Sequence, residues 1–231
     1  ALALVARGSD GVAPIDAAAL GQRLARPEYA EIAMVDVRDV LASRVLDTAA
    51  LTTVVGDAPH NTDLTPVVMF AAPRAAYEPD PARGARNLAA LLELRTPLPA
   101  SRLAGGDAPE LHAEVLRFGD ALEQFLRGEI LVVEGGQASS PSSAAIDAYL
   151  RAYAIAPDFP PPRGRLYPFA ARFPELAERI LPAMRDATPD EPRVWTAWLE
   201  HLKRIGDRER FDAALAEAQA RFGTPELQSP G

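Results

Sequence analysis

Three times between residues 145 and 223 the chain sets down the same spaced series of side chains. Ala145, Tyr149, Ala152 and Pro157 are followed at identical offsets by Ala177, Leu181, Met184 and Pro189, and then by Phe211, Leu215, Ala218 and Gly223. Their starting positions lie 32 and 34 residues apart. A recurrence of this length, with small, large, small and helix-stopping positions in fixed order, predicts helix-turn-helix units that stack on one another. The reason is packing. A small residue lets paired helices approach, a large one fills the gap, and proline stops the second helix before the next unit begins.

The first helices of the units carry matching signals. Trp195, Leu199 and Leu202 precede Gly206-Asp207, just as Gly128 and Leu131 precede Gly135-Gly136. Together these positions resemble a short, degenerate array of tetratricopeptide repeats, about three units over residues 120–225. The units depart from one another. The first has a longer inter-helix loop around residues 137–141, the third has Phe211 where a small residue is expected, and the second has Pro160 to Pro162 and Pro168 breaking its first helix. An interior Pro182 should kink the second helix of that middle unit. A generic antiparallel helical bundle stays open as the alternative, because over any one helix pair its apolar spacing is similar.

Ahead of the array the pattern is mixed. Leu2, Leu4 and Val5, stopped by Gly8-Ser9-Asp10-Gly11, predict a strand, and Pro66-Val67-Val68-Met69-Phe70, bounded by prolines, predicts a second. Between them Asp16 is placed to cap a helix over 17–24 whose Leu20 and Leu24 share a face. Two or three short helices should follow over 28–55, with Asp36, Asp39 and Asp47 as caps. Residues 77–84, with Pro79, Pro81 and Gly84, read as a linker. A helix over 85–94 with Leu88, Leu91 and Leu92 on its buried face comes next, then a loop from Pro97 to Ala108 and a long helix over 109–134. The expected fold is mainly α: a tetratricopeptide-like helical repeat preceded by a small α+β segment with two short strands. Its parts are a small segment over 1–75, a linker and connecting helices over 76–119, and repeats over 120–225.

Charge and composition narrow the function. A formal net charge of -8 is the wrong sign for neutralising phosphates, and residues 1–75, 76–119 and 120–231 each carry more acids than bases. Nucleic acid is therefore not the expected partner. With no Cys the chain has no thiolate nucleophile, no disulfide and no Cys-ligated zinc. No apolar run approaches the ~18 residues of a membrane span. The chain opens without Met and goes straight into an apolar run, which reads as a piece of a longer protein.

The stretch Gly56-Asp57-Ala58-Pro59-His60-Asn61-Thr62-Asp63-Leu64-Thr65-Pro66-Val67-Val68-Met69-Phe70-Ala71-Ala72-Pro73-Arg74 resembles the closing segment of bacterial spermidine-synthase-like (aminopropyltransferase-like) proteins. In that family a Gly-Asp-Ala-Pro turn leads to Asn-Thr-Asp, a proline, an apolar strand and Ala-Pro-Arg. The resemblance covers about residues 1–75, and Leu64 and Thr65 replace the acid and base that usually follow Asn-Thr-Asp. Some larger members carry membrane-spanning helices before the synthase-like domain and helical repeats after it. The resemblance therefore implies a cytoplasmic C-terminal part of a protein whose parent is membrane-anchored in such members. No glycine-rich strand-to-helix turn for a nucleoside is present, and no downstream acid for its ribose.

Candidate polar residues are few. Asp57, His60, Asn61 and Asp63 could gather into a site, with Asp63 orienting His60 as a base, although residues of these types before a strand more often make turn bonds. His60, His112 and His201 are scattered without metal-ligand spacing, so no metal is expected. Trp195, Trp198 and His201 recur at helical spacing, which favours a packed core over an aromatic ligand surface. Asp186, Asp190 and Glu191 flank Pro189 without a calcium-loop pattern and read as a solvated turn. No serine sits in a Gly-x-Ser-x-Gly elbow. The expected role is a non-catalytic interaction region without cofactor, binding a protein or peptide partner or another copy of itself. The alternative is part of a polyamine aminopropyltransferase-like enzyme that contributes to an acidic substrate site.

Overall fold

The computed structural model describes residues 14–27, 36–44, 46–56, 81–105, 108–135 and 140–223. Acidic caps open the front helices. Asp16 lies in extended backbone and its side chain accepts from the Ala19 N–H at 2.9 Å, satisfying a donor the first turn of α1 (Ala17–Leu24) would leave free. Asp36 does the same for α2 (Val37–Ala42) through the Arg38 N–H, and Asp47 for α3 (Thr48–Val55) through the Ala50 N–H. Asp39, expected as a cap, sits inside the first turn of α2 instead.

The described residues are mainly helical, with one short parallel sheet. Its strands are β1 (Ile15–Asp16) and β2 (Leu103–Ala104), with Ile15 opposite Leu103 and Asp16 opposite Ala104. Both strands expected from the sequence, over 2–5 and 66–70, lie outside the described residues. The stretch expected as a loop from Pro97 to Ala108 contains β2, preceded by a 3-10 turn over Ala100–Arg102. Leu98 and Leu103 are both buried there, and a strand of two residues is too short to leave an alternating pattern.

The expected linker is also shorter than its sequence suggests, because Pro81 to Gly84 form the first turn of α4 (Pro81–Glu93). Proline at the first helical position loses no hydrogen bond and arrives with φ set for the helix. Ala85 is the fully buried residue of α4, while Leu88, Leu91 and Leu92 are half-buried. Helix α5 (Ala108–Glu134) runs 27 residues, about 40 Å at the helical rise, and is continuous through 119 and 120. Its first half joins Leu41, Ala42, Leu98 and Leu103 in a front core through Val115, Phe118 and Ala121. Its second half offers Phe125, Leu131 and Val132 to a back core.

That back core is closed by α6 (Ser143–Ile155), α7 (Pro160–Arg172), α8 (Pro174–Ala187), α9 (Pro192–Ile205) and α10 (Arg208–Phe222). The prolines expected to break α7 do not. Pro160 and Pro161 occupy its first turn, where no backbone donor is needed, and the helix continues through Pro168. The carbonyl that Pro168 leaves without its helical partner belongs to exposed Gly164, where water can serve it. Helix α8 likewise continues past Pro182 to Ala187. The stops fall where the offsets place them: α6 ends just before Pro157, α8 before Pro189 and α10 before Gly223.

Candidate interaction surface

Side-chain size decides how closely the back helices approach. A Cβ at Gly128 would lie 2.6 Å from the ring of Tyr149, so glycine is what lets α5 meet α6. The Tyr149 hydroxyl donates to Glu129 Oε1 at 2.7 Å, and Arg165 grips both oxygens of the same carboxylate at 2.7 and 2.6 Å. Burial, then the bond to Glu129, pushes the Tyr149 phenol well above its ordinary range. Ala145 and Ala152 beside it are fully buried, as are Ala177 and Met184, while Leu181 retains 2 % exposure. Trp195, Leu199 and Ala218 are buried too, and Phe211 and Leu215 are half-buried on α10. Gly206 takes the left-handed conformation at φ 74 that ends α9, and the Asp207 N–H closes back on the Leu202 carbonyl at 3.1 Å. Pro157 stands in the α6–α7 turn.

Many of the polar contacts joining helices α5 to α10 span 31 to 36 residues, whereas His201 reaches Glu178 across 23. Arg165 to Glu129 and Arg179 to Ser143 each span 36 residues, and Tyr153 to Thr188 spans 35. Arg204 reaches the Ala171 carbonyl across 33, Arg210 reaches Glu178 across 32, and Arg221 reaches Asp190 across 31. Arg179 also pairs with Asp147, 32 residues away.

His201 is a satisfied core residue. Arg204 Nη2 can only donate, so Nδ1 of His201 accepts from it at 3.0 Å, and Nε2 carries the proton given to Glu178 Oε1 at 2.7 Å. Trp198 stacks on the imidazole at 5.6 Å, and Trp195 Nε1 donates to the Pro189 carbonyl at 2.7 Å. Both tryptophans are thus core, as their spacing indicates. His112 donates from Nε2 to the Leu98 carbonyl at 2.7 Å and pins the β2 approach. Asp186 pairs with Arg185, Asp190 with Arg221, and Glu191 caps α9, so these three acids serve separate partners. Asp57, His60, Asn61 and Asp63 lie outside the described residues.

Two features escape the sequence pattern. In the front, Arg38 and Arg117 lie over the Phe118 ring at 4.5 and 5.0 Å and share the carboxylates of Glu114 and Asp158, while Arg38 also holds Asp36. Asp36 and Glu114 are held below the usual carboxylate range, foremost by their hydrogen bonds to Arg38 and Arg117 respectively. Asp39 beside them has a buried Oδ1 without a hydrogen bond, and burial, then the charge of Asp36, pushes its carboxyl up to about 6. Residues 76 and 120 positions apart meet here, and no local spacing announces them.

The second feature is charge sorted by helix. Helix α7 carries Arg163, Arg165 and Arg172 and no carboxylate, and α9 carries Arg193, Lys203 and Arg204 against the single Glu200. Helices α6, α8 and α10, the second members of the pairs, mix six basic with seven acidic residues. Counting charge over long blocks hides this, because the acids of α5 and of the turns, Asp158, Asp190, Glu191 and Asp207, offset it.

Among the described residues no group of His, Asp and Glu is placed to hold a metal, and no helix is long and apolar enough to cross a membrane. The chain matches no protein-family model, no curated protein and no solved structure.

Proposed function

We propose that this chain is a non-catalytic interaction region in which three helix pairs, α5–α6, α7–α8 and α9–α10, form a tetratricopeptide-like array that binds a protein or peptide partner. The observation that carries the reading is the agreement between two independent periods. Buried side chains return at starting intervals of 32 and 34 residues, and most of the polar contacts from one pair to the next span 31 to 36, the His201–Glu178 bond across 23 being the exception. A stack of like units produces both, since each unit touches only its neighbours in the same way. Such stacks present the first helices of their pairs as a continuous face suited to an extended segment.

On this reading the chain is the C-terminal part of a larger spermidine-synthase-like protein, supported by the run from Gly56 to Arg74 and by the order of that segment before the repeats. Selection from an unbiased peptide library against the full chain tests the binding role. Binders whose hydrogen-exchange footprint falls on 120–222 are expected. Absence of any binder, or a footprint confined to α1 through α4, overturns the role, and aminopropyl transfer to a polyamine by the purified chain overturns its non-catalytic character.

A further inference from the structure

One ionisable side chain stands apart in the core. Tyrosine and tryptophan aside, His201 of α9 is the only buried polar residue among the described residues, at 2 % exposure. Each of its ring nitrogens meets a group of fixed chemistry. Glu178 of α8 accepts from Nε2 at 2.7 Å, and the same carboxylate receives Arg210 of α10 at 2.7 and 3.3 Å. The hydrogen bond from Arg210, foremost, holds Glu178 below the usual carboxylate range. Arg210 is in turn held by Asp207 of the α9–α10 turn at 2.6 Å. On the opposite side of the imidazole, Arg204 Nη2 lies 3.0 Å from Nδ1. Trp198 stacks on the ring at 5.6 Å and 21°, which fixes its plane.

Arg204 also reaches a third helix. Its Nη1 donates to the Ala171 carbonyl at 3.1 Å and its Nη2 to the Ala170 carbonyl at 3.4 Å. Both carbonyls lie in the last turn of α7, where helical donors run out. Ala170 is the clearer case, because the residue four positions on is Pro174, which has no N–H. Arg204 therefore caps α7, and Nδ1 of His201 is the acceptor that aligns it. A guanidinium only donates, so this bond exists only while Nδ1 carries no proton. A second proton, taken from solvent onto the Nδ1 lone pair, would set two donors and two positive charges against each other at that distance. Glu178 keeps its bond to Nε2 in either state, whereas the exposed Arg204 can swing into water.

We propose that His201 is a pH-sensitive latch: neutral, it holds Arg204 on the end of α7, and doubly protonated it releases Arg204, uncaps α7 and loosens the junction between α7–α8 and α9–α10. The latch consists of contacts among four helices and does not require that they stack as an array. Imidazole side chains take this proton between about pH 8 and 5, which sets the range to scan. Nitrogen-15 NMR of the full chain labelled at histidine reads both ring nitrogens, with His60 and His112 told apart by replacing each with Gln. At pH 8 His201 should carry its proton on Nε2 and none on Nδ1. Protonation of Nδ1 on acidification should coincide with a loss of hydrogen-exchange protection, about threefold, at the amides of Ala171, Arg172 and Phe173.

Arg204→Met, a change at an exposed position, should abolish the pH dependence of that protection while His201 still takes its second proton. Asp39, whose carboxyl is protonated at about 6, lies on α2, and any contribution from it would survive Arg204→Met. His201→Gln should abolish the dependence as well, and should that variant fail to fold, the native titration and Arg204→Met decide the matter without it. A proton on Nδ1 rather than Nε2 at pH 8, no second proton down to pH 5, or protection at 171–173 that ignores the state of His201 overturns the proposal. So does a loss of protection that persists in Arg204→Met. None of these outcomes bears on peptide binding, which the library selection tests separately.

Discussion

The two halves of α5 serve two different kinds of core. Behind residue 120 the helices meet their neighbours through small and large residues at recurring offsets, and most of the polar links among them span 31 to 36 residues. In front, parts distant in the chain are brought together once each. Ile15 pairs with Leu103, the Asp47 N–H donates to Thr96 across 49 residues, and Arg38 reaches Asp158 across 120. Contacts closer in sequence cost less loop entropy, whereas the front must close long loops before its contacts contribute. The comparison teaches that both halves rest on buried apolar clusters, and that the front adds a half-exposed charge network, laid over Phe118, that joins residues far apart in the chain.

The largest test of this contrast is Trp195→Ala. Removing a ring that is 2 % exposed and bonded to Pro189 should cost about 3–5 kcal/mol in urea unfolding followed by circular dichroism. Hydrogen exchange should show the loss concentrated in α8 to α10, and equal loosening of α4 would erase the distinction between the halves.

Gly128→Ala comes next. Its methyl would meet the Tyr149 ring at 2.6 Å, and because that ring is itself hemmed in and hydrogen-bonded to Glu129, the destabilisation should reach about 1–3 kcal/mol by the same assay. A neutral outcome would mean that α5 and α6 are not held at that distance.

Arg38→Met addresses the front network. It removes the charge that joins Asp36, Glu114 and Asp158 but retains apolar cover for Phe118, and with the side chain 29 % exposed the cost should be about 1 kcal/mol or less. The amides of α2 should exchange faster and those of α8 to α10 should not.

The smallest effect belongs to Asp39→Asn. Burial raises the folded carboxyl to about 6, above its value in the unfolded chain, so the folded state binds this proton more tightly. Its contribution to stability is therefore full at low pH and declines as pH rises through that range. Asp36 and Glu114, held below the usual range, act in the opposite sense and lose their contribution as pH falls. Asp39→Asn should then raise the thermal midpoint at pH 7 by under about 1 kcal/mol equivalent and leave it nearly unchanged at pH 4. A drop at pH 7 would show that the charge is needed.

These contrasts also explain what the sequence discloses. Ala145, Tyr149, Ala152 and their counterparts are legible because small and large residues at helical spacing mark a packed face within the helix itself. Asp16, Asp36 and Asp47 are legible because a cap is a local device. Leu103, Arg38 and Asp158 are not, since their partners lie far along the chain and nothing nearby encodes the meeting. The prolines of α7 mislead for another reason: their cost depends on whether the freed carbonyl faces water, which only the fold decides. The basic excess of α7 and α9 is hidden because the acids of α5 and of the turns offset it in any long block.

The most direct measurement takes advantage of a chain without cysteine. Ala154, Asp186 and Ala220 are exposed and occupy equivalent places in the recurring series, on α6, α8 and α10. Cysteines introduced there in pairs and spin-labelled give three distances by pulsed electron paramagnetic resonance. Stacked units predict that 154–186 and 186–220 are similar and that 154–220 exceeds both. A 154–220 distance as short as the other two would mean a closed antiparallel bundle and contradict the array.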